Sequence, residues 1–193
     1  GPAASDDASI AGDSWLATAQ ILVVDDEPGM RNFLIRTLGP RCARVEAVGD
    51  TVAAGRMLEA SHFDLIILDR YRVRGILPPA YFDNIRRYVE EGGALLVAAG
   101  PEFASAASLA RTRLASILPG DPNGRVVERP YKAALTGSGQ RHPVTRALPG
   151  SDASPPAWGD WLRVIGAAVR PGITPIMAGA DALPLLALSR EDK

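Results

Sequence analysis

Two short apolar runs, each ending in carboxylates, constrain this chain more than any other feature. Residues 20–27 read Gln-Ile-Leu-Val-Val-Asp-Asp-Glu, and residues 63–69 read Phe-Asp-Leu-Ile-Ile-Leu-Asp. A continuous apolar run of this length is the pattern of a strand covered on both faces. The interval from Asp26 to Asp69, 69 − 26 = 43 residues, leaves room for a helix, a strand and a second helix. Two such strands ending at one sheet edge would gather Asp25, Asp26 and Asp69. Three carboxylates at the carboxyl ends of parallel strands suit a hard divalent cation such as Mg2+. One aspartate is then left free to act as a nucleophile.

The intervening sequence supports that arrangement. Asp26 or Glu27 can cap a helix with Pro28 in its first turn. Met30, Phe33, Leu34, Thr37 and Leu38 form its inner stripe, and Gly39-Pro40 ends it. Val45 to Val48 reads as a short strand. Asp50 or Thr51 caps a helix through Ala60, with Ala53, Ala54, Met57 and Leu58 inward. Pro79 to Glu91 is an amphipathic helix with Tyr81, Ile85, Tyr88 and Val89 inward, and Gly92-Gly93 terminates it. Ala94 to Ala99 is a fourth buried strand, and residues 103–117 read as an Ala-rich helix. The order β-α-β-α-β-α-β-α specifies a three-layer, doubly wound parallel sheet of flavodoxin-like type with right-handed crossovers. After Pro119 the texture changes. Gly124 to Glu128 is a candidate fifth strand. Pro175–Ala178 and Leu183–Leu188 flank Gly179-Ala180-Asp181 as a carboxyl-terminal β-hairpin extension.

Composition narrows the function classes. The net charge of −1 across 193 residues gives no whole-chain case for nucleic-acid binding. Trp15, Trp158 and Trp161 are too scattered for a base-stacking platform. No apolar run approaches the roughly 18 residues of a membrane span. Cys42 is the only cysteine, so no internal disulfide can form, which fits a cytoplasmic setting. Lys132 and Lys193 are the only lysines, so a lysine-dependent mechanism has almost no candidates. Residues 1–18 lack a basic start and are expected to be a disordered leader or tag remnant, with Gly1-Pro2 matching a protease-cleavage scar.

Residues 20–69 resemble the receiver domain of two-component response regulators. The resemblance is carried by Ile-Leu-Val-Val-Asp-Asp-Glu-Pro (21–28), by Arg31 and Leu34, and by Phe-Asp-Leu-Ile-Ile-Leu-Asp (63–69). It implies that Asp69 is the phosphoacceptor. Asp26 would bind Mg2+ directly, and Asp25 directly or through water. The backbone carbonyl of Tyr71 would be a further ligand. It also implies a histidine kinase or small phosphodonor as partner. The pattern departs after Asp69. Arg-Tyr-Arg-Val-Arg-Gly replaces the usual Met-Pro-Gly type loop, and Ala98-Ala99 stands where a receiver has Thr or Ser. Lys132 is the sole candidate for the receiver lysine, and its neighbours Tyr131 and Ala133 do not match.

From about Asp64 onward the chain is similar to the glutamine-amidotransferase-like domain of some uncharacterised bacterial membrane proteins. Tyr81 to Gly100, His142-Pro-Val-Thr-Arg-Ala-Leu-Pro and the terminal hairpin carry that likeness. An active amidotransferase needs a cysteine on the turn after a strand; here the turn is Gly100-Pro101-Glu102-Phe103. A receiver-like half (19–69) and an amidotransferase-like half (70–193) would together complete one α/β domain. Two origins fit: an engineered or recombined hybrid, or a natural divergent receiver with an extended carboxyl half.

The remaining polar residues have plain structural readings. Arg70, Arg72 and Arg74 can hold a phosphate or an acidic partner, or simply form a solvated loop. His142 reads as turn structure, His62 as surface and Glu102 as a helix N-terminal residue. No Gly-x-Ser-x-Gly elbow is present. The expected activity is therefore that of a receiver-like regulatory module, not an enzyme beyond its own phosphoacceptor step. The other reading is a non-catalytic amidotransferase-like scaffold.

Overall fold

The computed structural model describes residues 15–73 and 80–190. The expected leader lies outside these residues up to residue 14; residues 15–18 are helical, and Leu16 packs on the first strand's core cluster. Strands β1 (Gln20–Val24), β2 (Arg44–Val48), β3 (Leu65–Asp69) and β4 (Ala94–Ala98) form a parallel sheet in the order β2-β1-β3-β4. This is the order of the first four strands of a flavodoxin-like arrangement.

Helices lie on both faces of the sheet. Helix α1 (Pro28–Leu38) packs Leu34 and Leu38 against Ile21, Val23 and Ile67. Helices α2 (Thr51–Ala60) and α3 (Ala80–Glu90) close the opposite face over Leu22, Val24, Ile66 and Leu68. Ile21 to Val24 are all within 1% of fully buried, which explains their unbroken apolar run. Each such side chain contributes about 1.5–3 kcal/mol relative to exposure. The α2 cap is as expected, with the Asp50 carboxylate accepting the Ala53 N–H at 2.8 Å. On α3 the buried residues are Phe82 and Ile85, with Tyr88 and Val89 alongside. Tyr81, expected inward, is only half-buried and lies beside Gly55 on α2.

The Ala-rich segment expected to be an α-helix over 103–117 is instead three 3-10 turns, Pro101–Ala104, Leu109–Arg111 and Arg113–Ser116. Its hydroxyls explain the difference. The Ser105, Ser108 and Thr112 side-chain oxygens accept the N–H groups of Ala107, Ala110 and Leu114. These local bonds offer the backbone an alternative to the helical ladder. Leu109 and Leu114 still anchor the segment in the core. The consequence is an incompletely covered sheet. Leu95 and Val97 face the α2/α3 core, while Ala94, Leu96 and Ala98 are exposed.

The candidate fifth strand lies within β5 (Gly120–Tyr131), which pairs antiparallel with β7 (Trp161–Val169) in a separate two-stranded sheet. It does not extend the parallel sheet. The carboxyl-terminal hairpin is present as β8 (Met177–Ala178) and β9 (Pro184–Leu186), paired antiparallel, with β6 (Ala134–Leu135) on the other side of β8. His142 is turn structure, its Nδ1 accepting the Val144 N–H at 3.2 Å. Among the described residues no helix is long and apolar enough to cross a membrane.

Candidate functional site

The site lies where β1 and β3 end. These strands are adjacent, parallel and in register, with Val24 opposite Leu68. The next residues on each strand are Asp25 and Asp69, so the two carboxylates arrive side by side at the carboxyl edge. Asp25 is only 4% exposed. Its Oδ1 accepts the Glu27 N–H at 2.6 Å, and its carbonyl accepts Arg31 Nη1 at 2.7 Å. That carboxylate turn makes the entry to α1; the Glu27 side chain makes no cap. Arg31 thus has a structural reason to stand one turn into the helix.

Charge is concentrated here. Asp25, Asp26, Glu27, Pro28, Met30, Arg70, Arg72 and Glu102 line a cleft of about 350 Å³. Burial pushes the Asp25 carboxyl above its ordinary value of 3.8, and the charges of Asp26 and Glu27 push the same way. The Glu27 backbone N–H and Arg31 pull it back. Asp69 is likewise raised, first by burial, then by the Asp25 charge, with Arg70 opposing and Glu102 and Glu27 adding. Like charges held together out of water disfavour ionisation, and a bound cation reverses that balance. The donors are hard carboxylate oxygens, the class that divalent Mg2+ takes.

Of the residues expected to hold the cation, Asp25 and Asp69 meet at this edge, and Asp25 and Asp26 line the cleft while Asp69 is not among its lining residues. Among the described residues no three acidic, histidine or cysteine side chains are grouped as a metal site. Tyr71 follows directly on Arg70. Its side chain turns into the core, only 6% exposed, and its hydroxyl stands 3.4 Å from the Thr51 hydroxyl. Among the arginines of the loop, Arg70 and Arg72 line the cleft; Arg74 lies outside the described residues. Lys132 does not line the cleft; it pairs with Asp160 at 3.0 Å and donates to the Trp158 carbonyl.

Sequence reading placed Glu102 at a helix N-terminus and gave it no part in the site. Glu102 does lie in the first turn of the 3-10 helix Pro101–Ala104, and its side chain also lines the cleft. Its side chain is 5% exposed, and its Oε1 stands 3.4 Å from Arg70 Nε. Gly100 makes room for the pair: a Cβ there would lie 2.3 Å from Glu102 Oε1 and 2.8 Å from Arg70 Nε. Arg70 itself has φ +43°, the left-handed region that L-residues other than glycine seldom occupy. Its N–H donates to the Ala98 carbonyl at 2.9 Å, which pins this backbone to the end of β4. The sequence signal for this pair is faint: an acidic residue two past Gly100, on the turn after a strand.

A larger cleft of about 830 Å³ lies between the open side of β4, the 3-10 segment, β7 and β9. Among the described residues it is lined mainly by aliphatic side chains, with no carboxylate. The smaller cleft is the one that gathers carboxylates and arginines.

Comparison with known proteins bears on the fold. No family model matches the chain, and no curated protein matches it. Solved structures that share its architecture include two from Salmonella typhimurium. "Cytoplasmic Protein STM1381 from Salmonella typhimurium LT2" superposes with a TM-score of 0.64 at 18% identity, covering 89% of this chain and 83% of that one. "Cytoplasmic Protein STM3548 from Salmonella typhimurium" gives 0.62 at 14% identity with the same coverage. At these identities the likeness is one of fold.

Proposed function

We propose that the chain is a receiver-like regulatory module that binds Mg2+ through Asp25, Asp26 and Asp69 and accepts a phosphoryl group on Asp69. The observation that carries this reading is the register of β1 and β3, which sets Asp25 beside Asp69 at the sheet's carboxyl edge. In the transfer, an Asp69 carboxylate oxygen attacks phosphorus in line. The donor's P–N or P–O bond breaks, and the electron pair leaves with the histidine or carboxylate of the donor. The product is an acyl phosphate. Mg2+, when bound, neutralises charge on the phosphoryl oxygens. The protein's own residues position the nucleophile: burial and the Asp25 turn hold the edge rigid, and Arg31 ties α1 to it. The partner is a histidine kinase or small phosphodonor. A cytoplasmic location is in keeping with the names of both structural neighbours.

The absence of a hydroxyl at Ala98-Ala99 favours a second reading, a non-catalytic amidotransferase-like scaffold, natural or hybrid. An amide NMR titration with Mg2+, then with Mg2+ plus beryllofluoride, separates the two. Saturable shifts at Asp25, Asp26 and Asp69, with a further change on beryllofluoride, support the receiver reading. A well-dispersed spectrum that does not respond supports the scaffold.

A further inference from the structure

We propose that Arg70 is the phosphoryl-binding cation of this site and that Glu102 holds it in reserve by pairing with it until an anion arrives. The proposal rests on the phosphoacceptor reading of Asp69. A phosphoryl group on Asp69 adds roughly −1.5 to −2 charge where the charges of Asp25, Glu27 and Glu102 already act. Among the described residues, Arg70 and Arg72 are the cationic side chains lining the cleft. Arg70 is the one adjoining Asp69, and its charge already acts on that carboxyl. Its planar guanidinium matches phosphoryl oxygens in the two-pronged geometry that a point charge lacks.

The structure also shows how the arginine is kept. Glu102 is a poor place for a carboxylate unless it has a use. It is 93% removed from solvent, and its Oε1 accepts no hydrogen bond among the described residues. The neighbouring charge is Arg70 Nε at 3.4 Å, slightly long for a hydrogen bond. Arg70's side chain remains 56% exposed, so it can swing without unpacking a core. The left-handed backbone at Arg70, fixed by its N–H bond to Ala98, aims the side chain across the end of β4. Gly100 leaves the space in which the two side chains meet. These features fit an ion pair built to be broken. An incoming dianion outcompetes a single carboxylate for the guanidinium, and the released Glu102 faces the same cleft as Asp25 and Asp26, where the cation's positive charge replaces the arginine's.

Three variants test it by calorimetric titration, first with Mg2+ alone, then with beryllofluoride in saturating Mg2+. Arg70→Ala should keep Mg2+ binding and weaken beryllofluoride by about tenfold or more, the scale of a lost charge-assisted hydrogen bond. Arg70→Gly relieves the left-handed backbone and should give the same loss, so a folding defect in the alanine variant does not decide the matter. Glu102→Gln frees the arginine and should tighten beryllofluoride several-fold, since the release step no longer opposes binding. Wild-type binding of beryllofluoride that both Arg70 variants preserve overturns this proposal and leaves the phosphoacceptor reading standing. Glu102→Gln that weakens beryllofluoride overturns the reserve role. Wild-type protein that binds no beryllofluoride overturns the phosphoacceptor reading, and this proposal with it.

Discussion

The backbone at Arg70 yields the sharpest quantitative prediction. Its φ of +43° places a β-carbon against the following carbonyl, at a penalty of about 1–2 kcal/mol for any residue but glycine. Replacing Arg70 with alanine or with glycine removes the same guanidinium and breaks the same pairing with Glu102. The two variants therefore differ in the backbone alone. Glycine escapes the left-handed penalty but gains freedom in the unfolded chain, which returns about 0.4–1 kcal/mol of that advantage. The net expectation is that Arg70→Gly is more stable than Arg70→Ala by about 1 kcal/mol. For a chain of this size that is roughly 2–4 °C in melting temperature. Paired urea titrations and calorimetric melts under identical buffer measure it. If Arg70→Ala equals or exceeds Arg70→Gly, the left-handed conformation is not what the chain adopts here, and the aiming of Arg70 across β4 fails with it.

Other consequences follow from the same site and core. The Asp69 carboxyl is raised above 3.8 in the fold by burial and by Asp25, with Glu102 and Glu27 adding, so the folded chain holds that proton more tightly than the unfolded one. Without a cation, its contribution to stability is present at acid pH and is lost as pH rises through the raised value. Asp69→Asn should therefore stabilise the metal-free protein at neutral pH, with the gap from wild type narrowing in urea titrations as pH falls toward the ordinary carboxyl range. Gly139→Ala would place a β-carbon 1.9 Å from the Ile176 carbonyl oxygen. The backbone must shift, and a loss of about 1–3 kcal/mol is expected from thermal melts. Ile85→Ala empties a fully buried position on α3 and should cost about 2–5 kcal/mol in urea unfolding.

The first half of the chain was readable because its elements are locally consistent. Ile21 to Val24 is apolar throughout because both faces are covered. Asp50 caps where a cap was expected, and Pro28 opens α1. The carboxylate edge followed from strand order and a right-handed crossover, without any contact being known. The second half was harder for physical reasons. Alanine-rich sequence over 103–117 favours helix by propensity, but Ser105, Ser108 and Thr112 divert backbone donors at short intervals. Strand β5 contains Pro122, Gly124 and Pro130, residues that argue against a long strand. They are accommodated by irregular register between Pro122 and Val126 and between Glu128 and Tyr131. Glu102 and Arg70 could not be paired from sequence. They stand 32 positions apart, and their meeting depends on a left-handed residue and a glycine vacancy that no periodicity encodes.

The central claim is that Asp69 is a metal-dependent phosphoacceptor, and intact-protein mass spectrometry after incubation with acetyl phosphate addresses it most directly. With Mg2+ present, the wild-type chain should gain the mass of one phosphoryl group. That gain should disappear on chelation of the metal, be absent from Asp69→Asn and map to the peptide containing Asp69. A wild-type chain that stays unmodified while its fold is intact, or a modification that persists in Asp69→Asn, would contradict the account.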